Sequence, residues 1–150
     1  MLFRSYEPEP VSSRGGIPWQ GENVSTLGQG GCDRIRTGII SAASGVGASY
    51  SQDLQNAAVM RAAGNGGNAM DILTSCGGEG WRAFTWKECI SYAYLLSGSE
   101  EDYADVIASL NAGWQGLVNS GEGWSEYGVG LDVVDADGAW LVTAALIFIR

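Results

Sequence analysis

The chain contains no histidine, a single lysine, three prolines and three cysteines. Without an imidazole there is no Ser-His-Asp or Cys-His pair, so a general base would have to be a carboxylate, Lys87, a tyrosine or a perturbed thiol. The chain is therefore expected to be non-catalytic, with a carboxylate-only hydrolase as the weaker alternative. Cys32, Cys76 and Cys89 form no CxxC pair, and no histidine can complete a tetrahedron, which excludes a zinc site. Their spacing leaves two readings open: a Cys76–Cys89 disulfide in an oxidising compartment with Cys32 left over, or three buried thiols. A run of about 18 apolar residues is also missing, so no membrane-spanning helix is expected.

Basic charge is scarce. Eight basic against seventeen acidic residues give a net charge of −9, which repels phosphates and anionic headgroups. Nucleic acid and membrane surfaces are therefore poor partners, no nucleic acid being expected, while cations and basic proteins remain open. A chain of 150 residues, 45% of them apolar, is about one domain long and can fill one core. Its twenty-three glycines are roughly twice the usual share and lack a three-residue period, so they mark turns and close backbone approaches. Met1-Leu2-Phe3-Arg4-Ser5 lacks the apolar segment of a signal peptide and reads as if joined onto a natural chain. The stop at Arg150, directly after Leu146-Ile147-Phe148-Ile149, suggests a truncation.

Residues 1–30 hold all three prolines and five glycines without either period, and read as an extended arm contributing little to the core; residues 31–150 read as the domain. A short helix is expected from Asp33 to about Ala43, with Ile35, Ile39 and Ala43 on one stripe. Ser51 caps a second, with Leu54, Ala57, Ala58 and Ala62 at helical spacing, ending at Gly64-Asn65-Gly66-Gly67. Thr85-Trp86-Lys87-Glu88 matches a capping box ahead of the apolar residues to Leu96, predicting a third short helix. The strongest periodicity starts at Ser99-Glu100-Glu101-Asp102, where Tyr103, Val106, Ile107, Leu110, Trp114, Leu117 and Val118 form one stripe. After Gly123 the period becomes two, and Asp135-Ala136-Asp137-Gly138 separates Val129–Val134 from Trp140–Ile149. That is a β-hairpin whose second strand is apolar on both faces and so central. Helices first and an antiparallel pair last predict an α+β fold.

The helix with Leu54-Gln55-Asn56-Ala57-Ala58, a Gly-rich loop, Lys87-Glu88-Cys89-Ile90-Ser91-Tyr92, the Trp114 helix, Ser120-Gly121-Glu122-Gly123 and Gly128-Val129-Gly130 follow one another in an order that resembles the CAP superfamily. These SCP-like proteins include the cysteine-rich secretory, antigen 5 and pathogenesis-related proteins, and the resemblance covers about residues 33–149. It implies a three-layer α-β-α sandwich with helices around a central antiparallel sheet, an extracytoplasmic location, and a cavity lined by two His and two Glu. Here the first His position falls near Asn68 and the second near Gly123, and only Glu88 of the four is kept. The resemblance thus implies a degenerate, histidine-free module without cofactor, binding an unidentified protein, lipid or glycan, with Glu88, Asn68, Trp86, Glu122 and Glu126 as cavity candidates. A virion or surface-layer assembly subunit is the alternative from another class.

Each candidate also has a plainer role. Glu88, fourth in Thr85-Trp86-Lys87-Glu88, is expected to cap a helix as well as to face a cavity. Asp132, Asp135 and Asp137 are weak Ca²⁺ candidates, since their spacing is three then two and position 12 offers no Glu; an Asp-Gly hairpin turn suits them better. Trp114 and Trp140 belong in the core, while Trp81, Trp86 and Trp124 are open between core and ligand groove.

Overall fold

A computed structural model describes residues 16–118 and 121–150. Half of the predicted arm, residues 1–15, and the Ser120 match lie outside the described residues, as do the side chains of Leu117 and Val118. The fold is α+β. In chain order its elements are α1 (Gly28–Ala43), β1 (Ser49–Tyr50), α2 (Gln52–Ala62), α3 (Ala69–Gly77), β2 (Trp86–Leu95), α4 (Glu100–Ala112), α5 (Gln115–Val118), β3 (Glu126–Ala136) and β4 (Ala139–Ile149).

Local chemistry sets most boundaries. Ser51 and Ser99 accept the Leu54 and Asp102 amides and start α2 and α4, as expected of N-caps. Asn68 and Asp71 form a reciprocal capping box at α3, a helix that the glycines at 64–67 hid from sequence analysis. The hairpin turns at Asp137-Gly138, both with positive φ (47° and 85°), the pattern of a type I′ turn matched to strand twist. Asp137 is therefore explained as a turn residue.

The helix predicted from Thr85 is instead the ten-residue strand β2. Ile90, Tyr92 and Tyr94 alternate with Cys89, Ser91, Ala93 and Leu95, and aromatic and β-branched residues in a period of two favour a pleated strand. The Thr-x-x-Glu match was a coincidence of sequence, and Glu88 starts no helix of its own. The long helix also ends sooner than its stripe implies: α4 stops at Gly113, and Trp114 lies beyond it, 1% exposed.

Among the described residues the sheet has four strands in the order β1-β3-β4-β2. β4 is central, antiparallel to β2 on one side and to β3 on the other. The sheet is mixed rather than wholly antiparallel, because β1 pairs with β3 in parallel. Residues of β4 alternate between two cores: Ala144, Leu146 and Phe148 pack with α1 and α4, while Ala145, Ile147 and Ile149 pack with α2 and α3.

The two cores are built differently. On the α1–α4 side, Trp114, Trp124 and Tyr127 surround Phe148 with ring centroids 5.7–6.2 Å away. On the other side α2 lies flush on β3, and a Cβ at Gly128 or Gly130 would collide with the backbone of Leu54–Gln55 or Ala58–Val59. Only glycine permits that approach.

The end of the predicted arm does enter the core. Ile17 is buried beside α2, its amide donating to Asp53 Oδ1 at 3.2 Å and its carbonyl accepting Asn56 Nδ2 at 2.7 Å. Trp140 is half-buried, with Nε1 donating to Thr26 Oγ1 at 2.8 Å, whereas Trp81 and Trp124 are buried.

Candidate functional site

The pairing of β2 with β4 decides which backbone groups of β2 are free. Thr85 and Arg150 exchange both hydrogen bonds, at 3.0 and 2.9 Å. In an antiparallel ladder such pairs alternate with non-bonded ones. In the register of β2 on β4, Lys87, Cys89, Ser91, Ala93 and Leu95 therefore bond to β4. Trp86, Glu88, Ile90, Tyr92 and Tyr94 turn their N–H and C=O groups outward, and among the described residues nothing meets them.

Side chains follow the same alternation. Ser91 Oγ donates to the Leu110 carbonyl at 3.2 Å and Cys89 Sγ to that of Gly113 at 3.1 Å, so the odd positions sit under α4. Burial pushes the Cys89 thiol pKa up, which keeps it a weak nucleophile. The even positions face the α2–α3 side, but those helices cover only the start of the strand. Trp86 packs against their core and Glu88 beside it, whereas Ile90, Tyr92, Tyr94 and Leu96 are 38, 71, 57 and 63% exposed. Between the strand edge and α4 runs a groove of about 290 Å³ lined by Tyr92, Ala93, Tyr94, Asp105, Val106 and Ser109.

The cavity candidates do not converge. Glu88 accepts Arg61 Nε at 2.6 Å and the Ala69 amide at 3.2 Å, next to Asn68. Its carboxylate is thus tied to α2 and to the start of α3. Asn68 itself caps α3. Trp86 and Glu126 occupy one rung of the sheet, each paired with Ile149 from opposite sides, and Glu126 is buried. Glu122 instead meets Lys87 Nζ at 3.0 Å and Arg150 at 3.8 Å, and Lys87 lies on the other face of β2 from Glu88. The aspartates are likewise dispersed. Asp135 accepts the Thr26 hydroxyl at 2.6 Å, which with Ser25 holds its pKa low; Asp132 has its pKa raised by burial and by Glu22, against a bond from Asn23. Among the described residues no cluster of three metal-ligating side chains is present, and the three cysteines are free thiols.

Sequence analysis missed a buried polar network on the opposite flank. Glu22, its side chain 0% exposed, pairs with Arg36, which also bonds Asp33 at 2.8 Å. The Leu131 amide donates to Glu22 Oε2 at 2.9 Å and the Cys32 thiol to Oε1 at 3.3 Å. Burial opposes the charge on Arg36, but the Glu22 carboxylate more than offsets it and holds the guanidinium protonated. Burial first, and Glu22 second, raise the Cys32 pKa well above the thiol range. Tyr50, whose hydroxyl donates to Gln55 Oε1 at 2.5 Å, is also pushed up by burial. The available signal was Arg36 on the Cys32–Ile35–Ile39 stripe, since an arginine there needs a buried carboxylate. Glu22, Cys32, Asp33 and Arg36 bond one another and Tyr50 bonds Gln55, which suits a structural brace, while among the described residues the buried Arg36 Nε meets no acceptor.

Compared with known proteins, the chain matches no family model, no curated protein and no solved structure.

Proposed function

We propose that the domain is a non-catalytic, extracytoplasmic interaction module of the CAP or SCP-like type, and that it works through the outer edge of β2. The observation that carries this reading is an edge strand of ten residues with five outward backbone pairs and two exposed tyrosines beside them. An uncovered apolar strand edge is a template for adding another strand, with backbone bonds supplying affinity and alternate side chains specificity. The order of helices, hairpin and Gly128-Val129-Gly130 supports the CAP-like part. Against the hydrolase alternative, the Glu88 carboxylate is occupied by Arg61 and the Ala69 amide, which gives it a structural task between α2, α3 and β2.

The test is selection from a displayed library of random peptides. The expected result is enrichment of apolar, strand-forming sequences that bind wild type and not Ile90→Pro. That variant deletes one outward N–H and leaves every bond to β4 in place. Equal recovery on wild type and Ile90→Pro would sink the proposal. The assembly-subunit reading gains support from one further property of the edge, its complementarity to itself.

A further inference from the structure

Given that β2 is the interaction edge, the geometry points to a second copy of this chain as its occupant: two β2 strands pair antiparallel about a two-fold axis through Ile90, making one continuous eight-stranded sheet. This inference rests on the reading just given. In that register Ile90 meets its own copy, Glu88 meets Tyr92, and Trp86 meets Tyr94, so all five outward positions, 86, 88, 90, 92 and 94, find outward partners. A shift of the axis to Tyr92 would leave Trp86 without one on β2. An isologous contact of this kind closes on itself and needs no second surface.

Charge supports the same register. Lys87, the one lysine of the chain, meets Glu122 of its own copy at 3.0 Å and keeps its side chain 50% exposed on the α4 side. With the axis at Ile90 it lies opposite Ala93 of the second copy, where Asp105 lines the groove. Two such Lys87–Asp105 encounters form per dimer, each setting the ammonium between Glu122 of its own copy and Asp105 of the other. Glu88, already held by Arg61, meets a tyrosine hydroxyl rather than another acid.

Cover and area also fit. The bare half of the even face, Ile90 to Leu96, comes alongside the half of the second copy that α2 and α3 protect, around Trp86 and Glu88. A large aromatic side chain offers about 150–250 Å². At 71 and 57% exposure, Tyr92 and Tyr94 together bring on the order of 200–300 Å² per copy, about a third of the ~800 Å² each partner buries in a stable complex. Ile90, Leu96, the strand backbone and the groove beside α4 add to it.

Sedimentation velocity over a concentration series is expected to show a monomer–dimer equilibrium. Lys87→Asp and Asp105→Lys should each weaken it about tenfold, as two exposed pairs per dimer would, and the double variant should restore it. In a Cys76→Ser background, mild oxidation should link Ile90→Cys into a covalent dimer, because a bonded antiparallel pair holds its Cα atoms about 5.5 Å apart, within disulfide reach. Tyr94→Cys should not link, its two copies being about 27 Å apart. Circular dichroism verifies that each variant is folded. Three results would overturn the inference: a monomer at every concentration, a dimer in which Ile90→Cys stays unlinked, or a double variant that remains weak. A monomer that still binds library peptides would refute self-pairing and leave the interaction edge standing; loss of both would refute both.

Discussion

Along the outer side of β3, backbone groups are occupied: β1 pairs at Glu126 and Tyr127, the Leu131 amide bonds Glu22, and the Val133 amide donates to the Asn23 carbonyl at 2.8 Å. Along the outer side of β2, the N–H and C=O groups of five residues meet no partner among the described residues, with Tyr92 and Tyr94 beside them. The comparison separates two uses of a sheet edge. The β3 flank is closed by β1, by Asn23 and by the buried Glu22–Arg36 pair, and serves stability. Past Lys87 and Glu88 the β2 flank carries no proline, bulge or charge along Ile90–Leu95, and serves contact.

The sharpest way to break the closed flank is Glu22→Ala. It leaves Arg36 charged and buried and strips the Leu131 amide, and should lower stability by about 3–5 kcal/mol in denaturant titration. A loss below about 1 kcal/mol would show that water already reaches Arg36. Gly130→Ala tests the flush seat of α2 on β3. Its methyl group meets helix backbone, which cannot rotate away, so a loss of about 1–3 kcal/mol or more is expected. A neutral effect would mean that α2 stands farther from the sheet. At the open flank, Tyr92→Ala and Tyr94→Ala should each change the stability of the monomer by no more than about 0.5 kcal/mol, as substitutions of exposed side chains do, while weakening association. A large stability loss would make these tyrosines part of the core and remove the contrast between the flanks.

What could be seen in the sequence was set by local chemistry. The Ser51 and Ser99 caps, the α1 stripe, the Asp137-Gly138 turn and the central place of β4 each rest on a few neighbouring residues. β2 was misread because Thr85-x-x-Glu88 imitates a cap while the alternation that decides the matter begins later, at Ile90. α3 was lost among glycines that belong to the loop before it. The Glu22–Arg36 pair was out of reach from one side, since Glu22 comes from a segment without periodicity. Among the site candidates, Glu88 and Asn68 do approach each other. Glu122 meets Lys87, which points to the other face because one step along β2 from Glu88 reverses the side chain, and a helical reading cannot foresee that reversal.

Amide hydrogen exchange along β2, resolved by residue and followed with rising protein concentration, tests the role of this edge most directly. The account predicts that the amides of Cys89, Ser91 and Ala93 are protected at every concentration, while those of Glu88, Ile90, Tyr92 and Tyr94 exchange freely when dilute and gain protection together as the protein is concentrated. If those four amides exchange freely at every concentration, no second copy pairs there; if they are protected even when dilute, the edge is already closed within one chain and the central claim is wrong.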